Sequence, residues 1–181
     1  MNSFSVESKI IYGVAMIGEF QENLKRLLID PKDLFHSHVR ARIGKKATDH
    51  FEEKVKEFIL RMPSVVSRIN TMVMREKEGS VAHRLAKYLL IYLYDPMDFL
   101  PEKDNGLFGY LDDAYFVAIV YLLVLEKMDP SLRIGEDEQM KEWVFKHIEP
   151  VRYLIPEESR KISKVVSDIL TNQILCYPVV H

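Results

Sequence analysis

Six carboxylate side chains lie between residues 95 and 113, a stretch that also carries two prolines and two glycines and is called here the acidic turn. They are Asp95, Asp98, Glu102, Asp104, Asp112 and Asp113. Mg²⁺ and Ca²⁺ prefer oxygen ligands, and carboxylates from the two ends of a loop can converge on one ion. One hypothesis is therefore a divalent cation site with Asp98, Asp112 and Asp113 as ligands and with Asp95 and Glu102 as outer support.

The same carboxylates also suit helix N-termini. Asp95 before Pro96 is typical of an N-cap followed by the first helical position, and Asp98 then meets the positive end of the helix dipole. Asp112 and Asp113 would lie in the first turn of the next helix, each stabilising it by roughly 0.3–1 kcal/mol. Adjacent helical residues point about 100° apart, so these two cannot both face one ion without help from the loop. Capping is favoured, and the metal site remains the alternative.

No other set of residues indicates catalysis. The histidines never take the HExxH or related spacings that place two metal ligands together, and His36 with His38 is favoured as a helix-end pair. Cys176 lies in an apolar segment without an adjacent histidine, which favours a packed thiol over a nucleophile. The tyrosines around the acidic turn are interpreted as core residues whose hydroxyls need partners. The sequence therefore assigns no catalytic residue and no cofactor beyond Mg²⁺ or Ca²⁺.

The elements that must position these carboxylates are helices, because apolar residues recur at helical spacing along the whole chain. Prolines are expected mostly at helix starts, as in Asp129-Pro130 and Pro156-Glu157-Glu158. The pattern predicts an all-α bundle of seven or eight helices. The predicted helices are residues 5–28, 31–37, 46–61, 64–77, 80–94, 109–127, 137–148 and 157–175.

Two strongly apolar segments, residues 88–94 and 114–125, enclose the acidic turn. The second is shorter than the roughly 20 residues that a membrane-spanning helix needs, so we expect a buried core helix. The two segments are predicted to form a central helical pair. The clearest internal break, at residues 77–80, is too short for a domain linker, so one domain is expected over residues 1–181. It divides into an N-terminal helical layer (1–79), a motif region (80–128) and C-terminal helices (129–181).

The spacing of the acidic turn resembles that of the YkvA-like family, small helical domains of unknown function. The residues that carry the resemblance are Asp95-Pro96-Met97-Asp98-Phe99-Leu100-Pro101-Glu102 and Gly109-Tyr110-Leu111-Asp112-Asp113. The resemblance covers residues 84–127, and the loop at 103–106 is one residue longer than the commonest form. It implies helices, frequent nearness to membranes and no established reaction.

Composition limits the class of partner. Apolar residues make up 48% of the 181-residue chain, and 25 basic against 27 acidic side chains give a net charge of −2, so no nucleic-acid partner is expected. A local basic cluster, Arg40, Arg42, Lys45 and Lys46, is interpreted as a solvated helix end. One cysteine and the absence of a signal-peptide pattern favour the cytoplasm, with peripheral membrane association left open.

These observations favour a non-catalytic helical interaction module that binds a protein partner or a second copy of itself. The contact would be made by the acidic turn or by the apolar surface of the helical pair. Two alternatives from other classes remain. One is a carboxylate-dependent metal enzyme, hydrolase-like, centred on Asp98, Asp112 and Asp113, and the other is a peripheral membrane protein.

Overall fold

The computed structural model describes residues 18, 21, 22, 24, 26, 34–93 and 99–171, with the backbone alone at 102 and 103. All regular elements among these residues are helical, which confirms the predicted all-α class. Six helices longer than one turn lie in this part of the chain: α1 Leu34–Ile43, α2 Asp49–Val73, α3 Val81–Tyr92, α4 Leu111–Lys127, α5 Gly135–Leu154 and α6 Pro156–Leu170. The predicted helix at 5–28 falls mostly outside the described residues, so the described helices number six rather than seven or eight.

Polar side chains and prolines mark the starts of several helices. Thr48 caps α2 by accepting a hydrogen bond from the Phe51 N–H at 3.2 Å, and Ser80 caps α3 by accepting one from the His83 N–H at 3.2 Å. Pro156 occupies the first turn of α6 together with Glu157 and Glu158, as predicted. These groups satisfy or replace backbone N–H donors that have no partner inside the helix.

The prediction of separate helices at 46–61 and 64–77 is wrong. The chain forms one helix, α2, which continues through Pro63. An interior proline removes a backbone hydrogen bond and costs about 3 kcal/mol. The apolar stripe of α2 offsets this cost, because it is buried on both sides of the proline, at Ile59 and Met62 before it and at Val66 and Ile69 after it.

Three other boundaries differ from the prediction. Helix α1 is described from Leu34 and continues to Ile43, beyond the predicted end at 37, while the predicted start at 31 lies outside the described residues. Helix α5 passes through Pro150 to Leu154 instead of ending at 148, because Val151 and Leu154 belong to the buried core. Helix α6 ends at Leu170, and the rest of the predicted helix to 175, like Cys176, lies outside the described residues after 171.

Helix α4 is the centre of the bundle. It packs against α2, α3, α5 and α6. By length and composition alone, the helical stretch Gly106–Lys127 could cross a membrane, but 83% of its most apolar window is buried inside the protein. A helix that is apolar on all sides is buried by its neighbours, so the strong hydropathy of α4 is accounted for by its place in the core.

Candidate functional site

The acidic residue best defined by the structure is Asp112, in the first turn of α4. Its side chain is fully buried, with no exposed surface. Its Oδ2 accepts a hydrogen bond from the Tyr92 hydroxyl at 2.9 Å and another from the Phe99 backbone N–H at 3.1 Å. Its Oδ1 is buried without a hydrogen-bond partner among the described residues. Asp112 therefore joins the end of α3, the loop that follows it and the start of α4.

Burial raises the pKa of the Asp112 carboxyl from its ordinary 3.8 to about 6. Removal from water disfavours the charged form, and this effect is the largest. The Tyr92 hydroxyl and the backbone N–H groups of Asp112, Asp113 and Phe99 favour the carboxylate and oppose the increase in pKa. The structure thus holds a carboxyl group that changes its charge close to neutral pH.

Asp113, Gly109 and Tyr110 are also buried, the first with 3% of its surface exposed. Gly109 and Tyr110 belong to a 3₁₀ segment, Gly106–Tyr110, which leads directly into α4. Asp112 and Asp113 lie in the first turn of α4, where negative charge is favoured by the helix dipole. The residue at the N-cap is Tyr110, which makes no side-chain capping bond, so Asp112 acts through its bonds to Tyr92 and Phe99.

The first half of the acidic turn is only partly described. Asp95, Pro96 and Asp98 lie outside the described residues. Pro101 is exposed and precedes a one-turn helix, Glu102–Asn105. The Pro101 carbonyl accepts a hydrogen bond from the Asn105 side-chain amide at 2.9 Å. Of the three proposed ligands, the structure therefore describes Asp112 and Asp113 but not Asp98. The side chain of Glu102 is not described, and among the side chains that the structure describes, no three histidine, cysteine or carboxylate groups converge as a metal site would require.

The 3₁₀ segment before α4 is held against α1 by an aromatic and cationic cluster. The Phe108 ring is buried and stacks on His38 with ring centres 5.0 Å apart, while the Arg42 guanidinium lies 5.2 Å from the same ring. His36 instead contacts Glu52 through Nδ1 at 2.8 Å. The two histidines have different partners, and α1 continues to Ile43, so the predicted end of this helix at residue 37 is wrong.

The basic cluster lies at the end of α1, as expected, with Arg40 and Arg42 in its last turn. Arg42 donates a hydrogen bond to the Leu154 carbonyl at 3.0 Å and lies 3.5 Å from the Glu158 carboxylate. Lys46 donates one to the Tyr153 hydroxyl at 3.3 Å. These contacts join α1 to α5 and α6.

A second carboxylate with no exposed surface, Asp137, is absent from the sequence-based candidates. It has no exposed surface and pairs with Arg68 of α2 through Nε and with Arg75 through Nη1, the latter at 3.6 Å. The Asp137 carboxylate also accepts a hydrogen bond from the Ile134 N–H at 2.8 Å. The backbone carbonyl of Asp137 accepts one from the Tyr121 hydroxyl at 2.7 Å. Burial, followed by the charge of Asp137, raises the pKa of the Tyr121 hydroxyl. The only sequence signal for this network is an acidic residue in the first turn of a helix, and that signal names no partner.

No family model, no curated protein and no solved structure matches the chain.

Proposed function

We propose that this protein is a cytoplasmic, non-catalytic helical interaction module of the YkvA-like type. The observation that supports this proposal is that the Asp112 side chain is buried and bonded inside the protein. Its carboxylate is fully buried and binds Tyr92 and the Phe99 N–H, so this motif residue holds Phe99 onto the helical pair. A surface that is fixed before binding lowers the entropy cost of binding a partner.

The contact surface would be the end of the helical pair that carries this loop. Ile91, in the last turn of α3, exposes 58% of its surface although it directly precedes the anchored Tyr92. Pro101 and Asp104 are exposed on the loop itself. An exposed apolar residue such as Ile91 is suited to the centre of a contact that excludes water and is polar at its rim. The partner would be another protein or a second copy of this chain.

The test compares an Ile91→Asp variant with a Met74→Asp variant. Met74, at the end of α2, is 59% exposed, so the control introduces the same charge at a similarly exposed apolar residue. We expect wild type and Met74→Asp to bind the same partner, or to self-associate with the same constant in sedimentation equilibrium. Ile91→Asp should weaken that binding by at least about tenfold, because a charge in a desolvated contact costs more than about 1.4 kcal/mol. Equal binding by all three proteins would rule out this surface.

Asp112 is unsuited as a surface probe, because it and Asp113 are buried. A change at either residue acts first on buried contacts, so any effect on partner binding would be indirect. Loss of a partner in Asp112→Asn or Asp113→Asn is therefore interpretable only beside a melting curve.

A divalent cation site is the second candidate, and one observation favours it. The Oδ1 atom of Asp112 is buried with no hydrogen-bond partner among the described residues, and a buried carboxylate oxygen is a suitable ligand atom for a divalent cation. In this proposal Asp98 and Asp113 complete the site, and a hydrolase-like reaction would depend on the ion.

Thermal melts with Mg²⁺, Mn²⁺ and Ca²⁺ test the cation site, because an ion that binds only the folded state raises the melting temperature. The expected increase should disappear in Asp112→Asn, which keeps the shape of the side chain but not its charge. Identical melting curves of wild type with and without each ion would rule out both the metal site and the metal-dependent enzyme.

Peripheral membrane association is the third candidate, and it rests on the family resemblance. Sedimentation with vesicles of neutral and of anionic lipid tests it. Complete recovery of the protein in the supernatant from both would remove this candidate without affecting the other two.

A further inference from the structure

A polar groove between α2 and α5 lies beside the Arg68–Asp137 pair and includes no residue of the acidic turn. Its volume is about 340 Å³, within the range of pockets that bind small molecules. Arg61, Ser64, Ser67 and Arg68 line it from α2, and Glu136 and Gln139 line it from α5. Two of these side chains are cationic and one is anionic, so the lining has an excess of one positive charge.

Arg68 is fixed in this groove by a buried partner. Its side chain is 14% exposed, and its Nε binds the carboxylate of Asp137, which has no exposed surface. Its Nη1 donates to the Glu136 carboxylate at 2.7 Å. Glu136 is 73% exposed, so it can leave Arg68 at little cost, whereas Asp137 cannot. The Glu136 carboxylate therefore occupies the position that the oxygen of an anionic ligand would take on Arg68.

Arg61 supplies the second cation. Its guanidinium lies 4.7 Å from the centre of the Trp143 ring, and Trp143 is itself stacked on Phe58 and on the buried His147, with ring centres 5.6 and 4.5 Å away. Stacking on this aromatic group restricts the guanidinium plane while its N–H edges can still donate hydrogen bonds. Arg61 and Arg68 lie seven residues apart on one face of α2, and Ser64 lines the same groove.

We propose that this groove binds a phosphate group, free or carried as a phosphate monoester. Arg61 can pair with phosphate oxygens through two N–H donors, and Arg68, whose Nε stays on Asp137, offers the Nη1 donor that Glu136 occupies, while serine hydroxyls and the Gln139 amide add neutral donors. Binding requires the contact between the Glu136 carboxylate and the Arg68 Nη1 to break, so Glu136 competes with the ligand for Arg68. This site is independent of the proposed interaction surface at Ile91 and of the cation site at Asp112.

The test uses Trp143, the single tryptophan of the chain, as a reporter beside Arg61. Inorganic phosphate and O-phosphoserine are titrated at constant ionic strength and followed by tryptophan fluorescence and by calorimetry, with acetate as the comparison anion. We expect saturable binding of both phosphate probes that is weakened at least about tenfold in Arg61→Gln. Arg160→Gln is the matched control, because Arg160 is a 70% exposed cation on α6 that pairs with Glu157 in the same helix.

The Glu136→Gln variant gives a result that a purely structural role for these residues would not give. Removing the competing charge should raise phosphate affinity about fivefold, the effect of one unscreened charge a few ångströms away in water. An unchanged or lower affinity in Glu136→Gln overturns the proposal, even if Arg61→Gln folds poorly. Equal binding of acetate and phosphate overturns it too, as does wild type that shows no saturable change by either method. Binding of phosphate but not of O-phosphoserine would overturn only the monoester form and restrict the ligand to the free ion.

Discussion

At the scale of single residues, Asp112 shows what the sequence can and cannot predict. The sequence predicts that it lies in the first turn of a helix, and it does. The carboxylate is nevertheless bound by Tyr92 and the Phe99 N–H, which are 20 and 13 residues away. Their contact with Asp112 depends on how α3 packs beside α4. Local pattern therefore predicts the position of this residue and not its partners.

The raised pKa of Asp112 predicts how stability changes with pH. The folded protein holds the Asp112 proton up to about pH 6, whereas the unfolded chain releases it near pH 3.8. Between these values the folded state binds more protons, so the free energy of unfolding falls as pH rises, by up to about 3 kcal/mol. Asp112→Asn stays neutral and can still accept from Tyr92 and Phe99. We therefore expect the variant to gain stability relative to wild type as pH rises from 4 to 7.

Urea unfolding of both proteins at several pH values measures this difference. Asp104→Asn is the control, because Asp104 is an exposed carboxylate near the same site and should follow the wild-type profile. Parallel profiles for wild type and Asp112→Asn would show that burial of Asp112 does not control its proton.

At the scale of helices, the sequence predicts the class and the central position of the most apolar segment. It fails where proline is treated as a boundary. Pro63 and Pro150 lie inside α2 and α5, because apolar residues on both sides of each proline are needed in one continuous core. The local cost of an interior proline is about 3 kcal/mol, and the packing of a long amphipathic helix exceeds it. That balance depends on the neighbouring helices, which the local pattern does not contain.

Replacing Pro63 by alanine tests this balance. The change restores a backbone N–H that can bond to the Ile59 carbonyl and removes the ring clash, but it also removes buried ring atoms worth about 1–2 kcal/mol. We expect a net increase of about 1–2 kcal/mol in the free energy of unfolding, measured in urea. Pro150→Ala should change stability in the same direction, because Pro150 is only partly buried. A clear loss of stability in Pro63→Ala would contradict this prediction and mean that the packing of the proline ring contributes more than the restored hydrogen bond.

At the scale of the whole molecule, the Asp137 network connects helices that are distant in sequence. Arg68 is 69 residues from Asp137 and Tyr121 is 16, yet all meet where α2, α4 and α5 pack together. The sequence offers many such pairs of opposite charge, and only the packed bundle selects one. Such a network fixes the relative position of three helices, which is a property that no single element carries.

Removing the carboxylate of Asp137 should therefore destabilise the whole bundle. In Asp137→Ala, Arg68 and Arg75 lose their buried partner and the Ile134 N–H loses its acceptor, and we expect a cost of about 3–5 kcal/mol. Glu136→Ala removes a carboxylate that binds the same arginine but is 73% exposed, so it should cost less than about 1 kcal/mol. Urea unfolding, followed by circular dichroism, measures both. If the two variants lost equal stability, the surface pair and the buried pair would contribute alike, and the three helices would be held in register by their apolar contacts alone.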